Sequence, residues 1–211
     1  GVNHNGSLAK ALELCKIARD AGADAVKFQT WKTEELVLEN ARQANYQRLN
    51  TGKKQSQFQM LKELELSYEE FFIIKNHCDS IGIQFLSTPD EKESLKFLTD
   101  NLGLTTIKVG SGEMGNFPFL KEISQRAKKV ILSTGMHTLE DVRNSVNIFK
   151  ENNSIDLTLL QCTSSYPCPI NALNLNVMRS FSDLFDCKVG FSDHSIGITA
   201  SLVAATLGAK I

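Results

Sequence analysis

Two lysines stand inside apolar runs where a buried strand ordinarily carries none: Lys27 in AVKFQT (25–30) and Lys108 in TIKVGSG (106–112). A third run, KVGFSDH (188–194), ends in a hydroxyl, a carboxylate and an imidazole: Ser192, Asp193 and His194. Other apolar runs also finish in small hydroxyl residues: Ser87 and Thr88 in IQFLSTP (83–89), Ser133 and Thr134 in KVILSTG (129–135), and Thr163 and Ser164 in LTLLQCTSS (157–165), with Tyr166 just beyond. Ammonium groups and hydroxyls gathered in one place suit a small, multiply charged oxyanion. A lysine about 4 Å from a phosphate or carboxylate oxygen contributes on the order of 4 kcal/mol at an effective dielectric near 20. Hydroxyls and backbone N–H groups at strand ends add short hydrogen bonds. Loop starts and helix caps explain any single hydroxyl well. They explain the two lysines and the whole set poorly.

His194 lies two residues after Ser192, on the same side of a regular pleat. A neutral imidazole there suits a metal ligand first and an acid–base role second. Asp193 falls on the opposite side, where supporting a ligand or capping a helix is the natural use. No second metal ligand follows at tight spacing. GSGEMG (110–115) matches a dinucleotide fingerprint, but the next strand ends in Ser133 and Thr134 rather than an acidic residue, so the match is read as accidental.

The elements that must position these residues are legible from alternation. Six short runs rich in Val, Ile, Leu and Phe are separated by stretches of helical period. Ser67 with Glu70, and Thr138 with Asp141, read as helix starts, followed by Phe71, Ile74, Cys78 and Ile81 and by Val142, Val146 and Phe149. Gly22, Gly82 and Gly103 stand where helices should stop. Such β-α alternation without hairpin signals predicts a parallel sheet. In a sheet covered by helices on both faces, a mid-strand lysine would be buried at a cost of several kcal/mol unless paired. In a (β/α)8 TIM barrel it points into the lumen near the C-terminal mouth, where active sites lie. The barrel is therefore the expected fold. Gly1–Gly6 reads as the tail of strand 1 and residues 209–211 as the start of strand 8, so the barrel domain is expected to be incomplete at both ends of 1–211. Residues 31–66 form a polar excursion too long for an ordinary connector: a lid, a short helical insertion or an oligomer contact.

With 211 residues, 42% hydrophobic and 22% charged, the chain suits one large α/β domain. A net charge of −1 with interspersed signs offers no footprint for nucleic acid or an anionic membrane. No apolar run has bilayer length. Five scattered cysteines without a Cys-x-x-Cys pair point to a reducing, cytoplasmic setting.

Taken in order, NHNGS (3–7), GADAVKFQT (22–30), FLSTP (85–89), IKVGSGE (107–113), ILSTGM (131–136), CTSSYP (162–167) and GFSDHS (190–195) resemble the N-acetylneuraminate (sialic acid) synthase family, which includes legionaminate and pseudaminate synthases. The resemblance implies a TIM-barrel transferase that condenses phosphoenolpyruvate with an N-acylated mannosamine-type sugar, giving a nine-carbon 2-keto sugar acid and phosphate. It implies that Lys27, Thr88, Lys108, Ser111, Ser133, Ser164 and Ser192 hold phosphoenolpyruvate, while Gln29, Glu113 and Tyr166 face the sugar. Glu113 is the candidate proton-transfer partner. His194 is implied as one of two histidine ligands of a divalent metal, Mn or Mg, the other lying beyond the end of this chain. A homodimer, and a C-terminal antifreeze-like domain outside this chain, are implied too. Asn5 stands where some members carry a glutamate, and Ser164 where some carry an asparagine. Two readings stay open: another phosphoenolpyruvate-condensing keto-acid synthase barrel, and a non-catalytic sugar- or anion-binding barrel.

Overall fold

The structure is a computed structural model that describes residues 2–43, 55–152 and 154–211. It divides into two compact units, Gly1–Leu104 and Thr105–Ile211.

In the first unit, helix α1 (Leu8–Asp20) leads to strand β1 (Ala25–Thr30). After short helices α2 (Thr33–Leu36) and α3 (Gln57–Leu64) comes α4 (Tyr68–Ile81), then β2 (Gln84–Pro89) and α5 (Lys92–Lys96). The strands pair in parallel, Lys27 beside Leu86 and Gln29 beside Thr88. One face of this ladder builds the core: Phe28 stacks on Phe85 with centroids 5.7 Å apart, and Phe71 of α4 meets Phe28 edge-on at 6.4 Å. The expected capping box is present, with Ser67 Oγ accepting from Glu70 N–H and the Glu70 carboxylate accepting from Ser67 N–H. Helix α4 stops at Gly82, whose φ of 71° is left-handed and costs glycine nothing.

The polar excursion after β1 is a helical insertion where it is described; its residues 44–54 lie outside the described residues. Glu65 closes its base, accepting from Thr33 N–H (3.0 Å) and Thr33 Oγ (2.7 Å) and pairing with Lys32 and Lys62. Burial alone would raise the Glu65 carboxyl, but these bonds hold it below its ordinary value. The expectation of a strand tail at the start of the chain is corrected: residues 3–6 form a turn, with Asn5 at φ 50° and Gly6 at φ 71°.

In the second unit, strands β3 (Thr106–Val109), β4 (Lys129–Ser133), β5 (Asp156–Cys162) and β6 (Lys188–Ser192) form one parallel sheet in sequence order. Helices α6 (Phe117–Arg126), α7 (Leu139–Lys150), α8 (Val177–Leu184) and α9 (Thr199–Thr206) alternate with them. Register sets Ile107, Val130, Leu157 and Leu159 on one side of the sheet, all buried. Lys108, Ile131, Ser133 and Leu160 fall on the other. Residues 209–211 run beside β6, where Phe191 N–H donates to the Ile211 carbonyl at 2.8 Å. Gly190 permits this approach, since a Cβ there would lie 2.5 Å from that oxygen.

Candidate functional site

In the second unit the strand ends assemble most of the predicted set. Lys108 is 7% exposed, and its ammonium donates to Ser133 Oγ at 2.6 Å and to the Val109 carbonyl at 2.7 Å. Register causes this pairing: Lys108 lies beside Ile131, and Ser133 is two residues farther along the same face. A buried ammonium needs such acceptors.

After β3 the chain enters a 3-10 turn, Ser111–Glu113. Ser111 Oγ accepts from Gly135 N–H at 2.9 Å and directs its own proton toward Cys162 Sγ at 3.7 Å. A side chain at Gly135 would force its neighbours to move. A Cβ would overlap Ser164 Oγ and lie 3.0 Å from Ser111 Oγ. The end of β4 therefore presents Ser133 to Lys108 and, two residues on, separates the Ser111 and Ser164 hydroxyls by a bare backbone. Ser192 ends β6 half-buried, beside Cys162 in register. The Glu113 carboxylate accepts from Asn116 Nδ2 at 2.9 Å.

His194 Nδ1 lies 2.9 Å from the Thr163 carbonyl. A carbonyl only accepts, so Nδ1 holds the proton and Nε2 of the neutral ring presents its lone pair. Tyr166 covers the ring, centroids 4.3 Å apart, and Cys168 N–H holds the His194 carbonyl at 2.8 Å. The site fits one nitrogen ligand of a divalent cation. Among the described residues, no group of three or more His, Cys, Asp or Glu side chains gathers to complete a coordination sphere. Asp193 is a cap. Its carboxylate accepts from Ser195 N–H (2.8 Å), Ser195 Oγ (2.7 Å) and Ser201 Oγ (2.6 Å). Burial would raise it, yet the bonds from Ser201 and Ser195 hold it below the usual carboxylate value.

In the first unit, Lys27, Gln29 and Thr88 share one face of the β1–β2 ladder. Lys27 keeps contact with solvent, yet the protein around its ammonium desolvates it enough to lower its pKa, opposed by the Asp90 carboxylate. Gln29 Nε2 donates to that carboxylate at 3.4 Å. Ser87 is on the other face, bonded to Thr30 Oγ1 at 2.7 Å, so of this strand's two hydroxyls only Thr88 joins the lysine's face.

Sequence reasoning passed over Asp90, Gly135 and His137. Asp90, two residues past Thr88 with Pro89 between, carries no local signal, being marked only by the Gln29 amide 61 residues away. Gly135 and His137 gave none, because each is defined by partners about two dozen residues away. A cleft of about 650 Å³ in the second unit lies at the strand starts around Asp156, Lys188 and Lys210, away from these residues. A second, of about 600 Å³, borders Ser164 and His137.

The chain is 44% identical over 213 residues to the N,N'-diacetyllegionaminic acid synthase of Campylobacter jejuni, covering all of this chain and 64% of that protein. It is 41% identical over 215 residues to the enzyme of the same name from Legionella pneumophila, covering 60% of it. The chain thus spans less than two thirds of these relatives. A crystal structure of N-acetylneuraminic acid (sialic acid) synthetase from Leptospira borgpetersenii superposes with a TM-score of 0.87 at 31% identity, over all of this chain and 68% of that one. Phospho-2-dehydro-3-deoxyheptonate aldolase of Thermotoga maritima, at 15% identity, TM-score 0.67 and coverage of 94% and 53%, shares the fold alone. These neighbours are TIM-barrel proteins. A profile of the NeuB family matches residues 14–211, and the chain belongs to that family.

Proposed function

We propose that the protein carrying this chain condenses phosphoenolpyruvate with an N-acylated mannosamine-type sugar, forming a nine-carbon 2-keto sugar acid and releasing phosphate. The observation that carries this reading is the buried Lys108–Ser133 pair with the Ser111 and Ser164 hydroxyls arranged around Gly135. It is a preorganised set of one ammonium and several O–H donors, which is what a phosphate or carboxylate takes in place of water. An incoming oxygen replaces Ser133 Oγ and the Val109 carbonyl as partner of the Lys108 ammonium, so the charge need not be desolvated again at binding.

His194 Nε2 would be one ligand of a divalent cation, which when bound would supply Lewis-acid polarisation of the sugar's open-chain aldehyde. The remaining work belongs to side chains. Lys108, Ser111, Ser133, Ser164 and Ser192 bind and orient phosphoenolpyruvate, setting its C3 for attack on the aldehyde carbon. Tyr166 shields the imidazole and faces the sugar. Water adds at C2 of the resulting oxocarbenium and phosphate leaves by C–O cleavage, with Glu113, its carboxylate held by Asn116 Nδ2, as the proton-transfer partner. Lys27, Gln29 and Thr88 offer an ammonium, an amide and a hydroxyl from one strand face for substrate oxygens.

The test uses the complete protein with phosphoenolpyruvate, Mn²⁺ and either N-acetylmannosamine or its 2,4-diacetamido-6-deoxy relative. Phosphate release is expected only with both substrates present, and is expected to stop with chelator. Release that ignores the sugar, or none with either sugar, overturns the reading.

A further inference from the structure

His137 is half-buried on the loop between β4 and α7, and the proposed reaction gives it no role. Its Nε2 lies 2.8 Å from the Ser111 carbonyl oxygen. That oxygen only accepts, so Nε2 carries the proton and donates, leaving Nδ1 turned toward Asp141, 3.8 Å from Oδ2. Asp141 is itself fixed, accepting from Thr138 N–H at 2.9 Å and Thr138 Oγ1 at 2.7 Å in the capping box that starts α7. The ring thus ties the loop just before α7 to the turn that carries Ser111.

One loop grips Ser111 twice. Gly135 N–H donates to its Oγ at 2.9 Å, and His137 to its carbonyl. The carbonyl's other partner is Met114 N–H at 3.2 Å, closing a single 3-10 turn of the kind whose hydrogen-bond geometry is poor. The imidazole makes the shorter of the two bonds. Because Ser111 Oγ already accepts from Gly135, its own proton is what remains to be given. That proton is aimed at Cys162 Sγ, 3.7 Å away, a weak acceptor that an anion oxygen outcompetes.

We propose that His137 is a positioning residue: by donating Nε2–H to the Ser111 carbonyl it fixes the turn so that the Ser111 hydroxyl presents its proton to the bound anion. The proposal rests on the reading that this cluster holds phosphoenolpyruvate.

Three substitutions isolate that bond. Glutamine places its amide nitrogen where Nε2 stands, asparagine places its own where Nδ1 stands and falls short of the carbonyl, and alanine has neither. In the complete protein, H137A and H137N are expected to raise KM for phosphoenolpyruvate about tenfold and H137Q less than about threefold, as the loss or retention of one hydrogen bond implies. In each variant kcat and the sugar's KM should change less than that. A packing role would instead rank the variants by side-chain volume and lower their melting temperatures in step. An unchanged KM in H137A, or an H137Q no better than H137A, overturns the clamp.

Inorganic phosphate is the second probe, titrated by calorimetry without turnover. Weakening by about tenfold in H137A and H137N but not in H137Q upholds the clamp even if no sugar condenses, an outcome that sinks the proposed reaction alone. Phosphate binding that is absent from the wild type, or unchanged in H137A, overturns the clamp itself.

Discussion

A lysine buried to 7% exposure, with a serine hydroxyl 2.6 Å from its ammonium, is a costly arrangement for a protein to keep without a use. Lys108→Met preserves the stem and removes the charge. Turnover by the complete protein is expected to fall by about a thousandfold or more, the range seen when one preorganised electrostatic contact is removed. The melting temperature should hold or rise; a K108M enzyme with normal kcat/KM would remove Lys108 from the site. Gly135→Ala tests the neighbouring arrangement. Its Cβ drives Ser164 Oγ away and crowds Ser111 Oγ, and a misplacement near 1 Å is expected to cost about a hundredfold in kcat/KM. Lys108 could be read from the chain because a charge inside an apolar run is conspicuous. Asp90, 61 residues from the Gln29 amide that it accepts from, carries no such local mark.

Helices here are specified by short-range chemistry. Both capping boxes read from Ser-x-x-Glu and Thr-x-x-Asp are formed, and Phe71, Ile74, Cys78, Val142, Val146 and Phe149 are buried as their spacing requires. The base of the excursion is different. Glu65 reaches back 32 residues to bond the start of α2, and nothing near it in sequence says so. Glu65→Ala leaves Thr33 N–H and Oγ without that acceptor, at a cost of about 1–3 kcal/mol. Native-state hydrogen exchange should show the Thr33 amide losing its protection while amides of β1 and β2 keep theirs. Equal protection in E65A would mean that other contacts hold the excursion down.

Among the described residues, the parallel strands of each unit alternate with helices as predicted, and no helix is long and apolar enough to cross a membrane. Global stability carries a pH signature from His4, which is 1% exposed. Burial lowers its pKa from the ordinary 6.5, against a nearby Glu70 charge that raises it. Its Nδ1 accepts from Gly6 N–H at 3.1 Å, a bond that protonation would break. The unfolded chain therefore takes up a proton below about pH 6.5 that the folded chain resists, so stability falls as pH drops through that value and is recovered above it. His4→Asn keeps an acceptor for Gly6 and does not titrate. Its melting temperature should fall less than the wild type's between about pH 7.5 and pH 5.5, and parallel pH profiles would refute the assignment. Alternation, caps and the two misplaced lysines were settled by sequence alone, because periodicity and capping act over three or four residues. Pairing within each unit was decided only by tertiary structure. Which hydroxyl meets Lys108, why residue 135 has no side chain, what His137 holds, and which face Ser87 takes all follow from strand register and close approach between distant segments, where an ångström of displacement breaks a hydrogen bond.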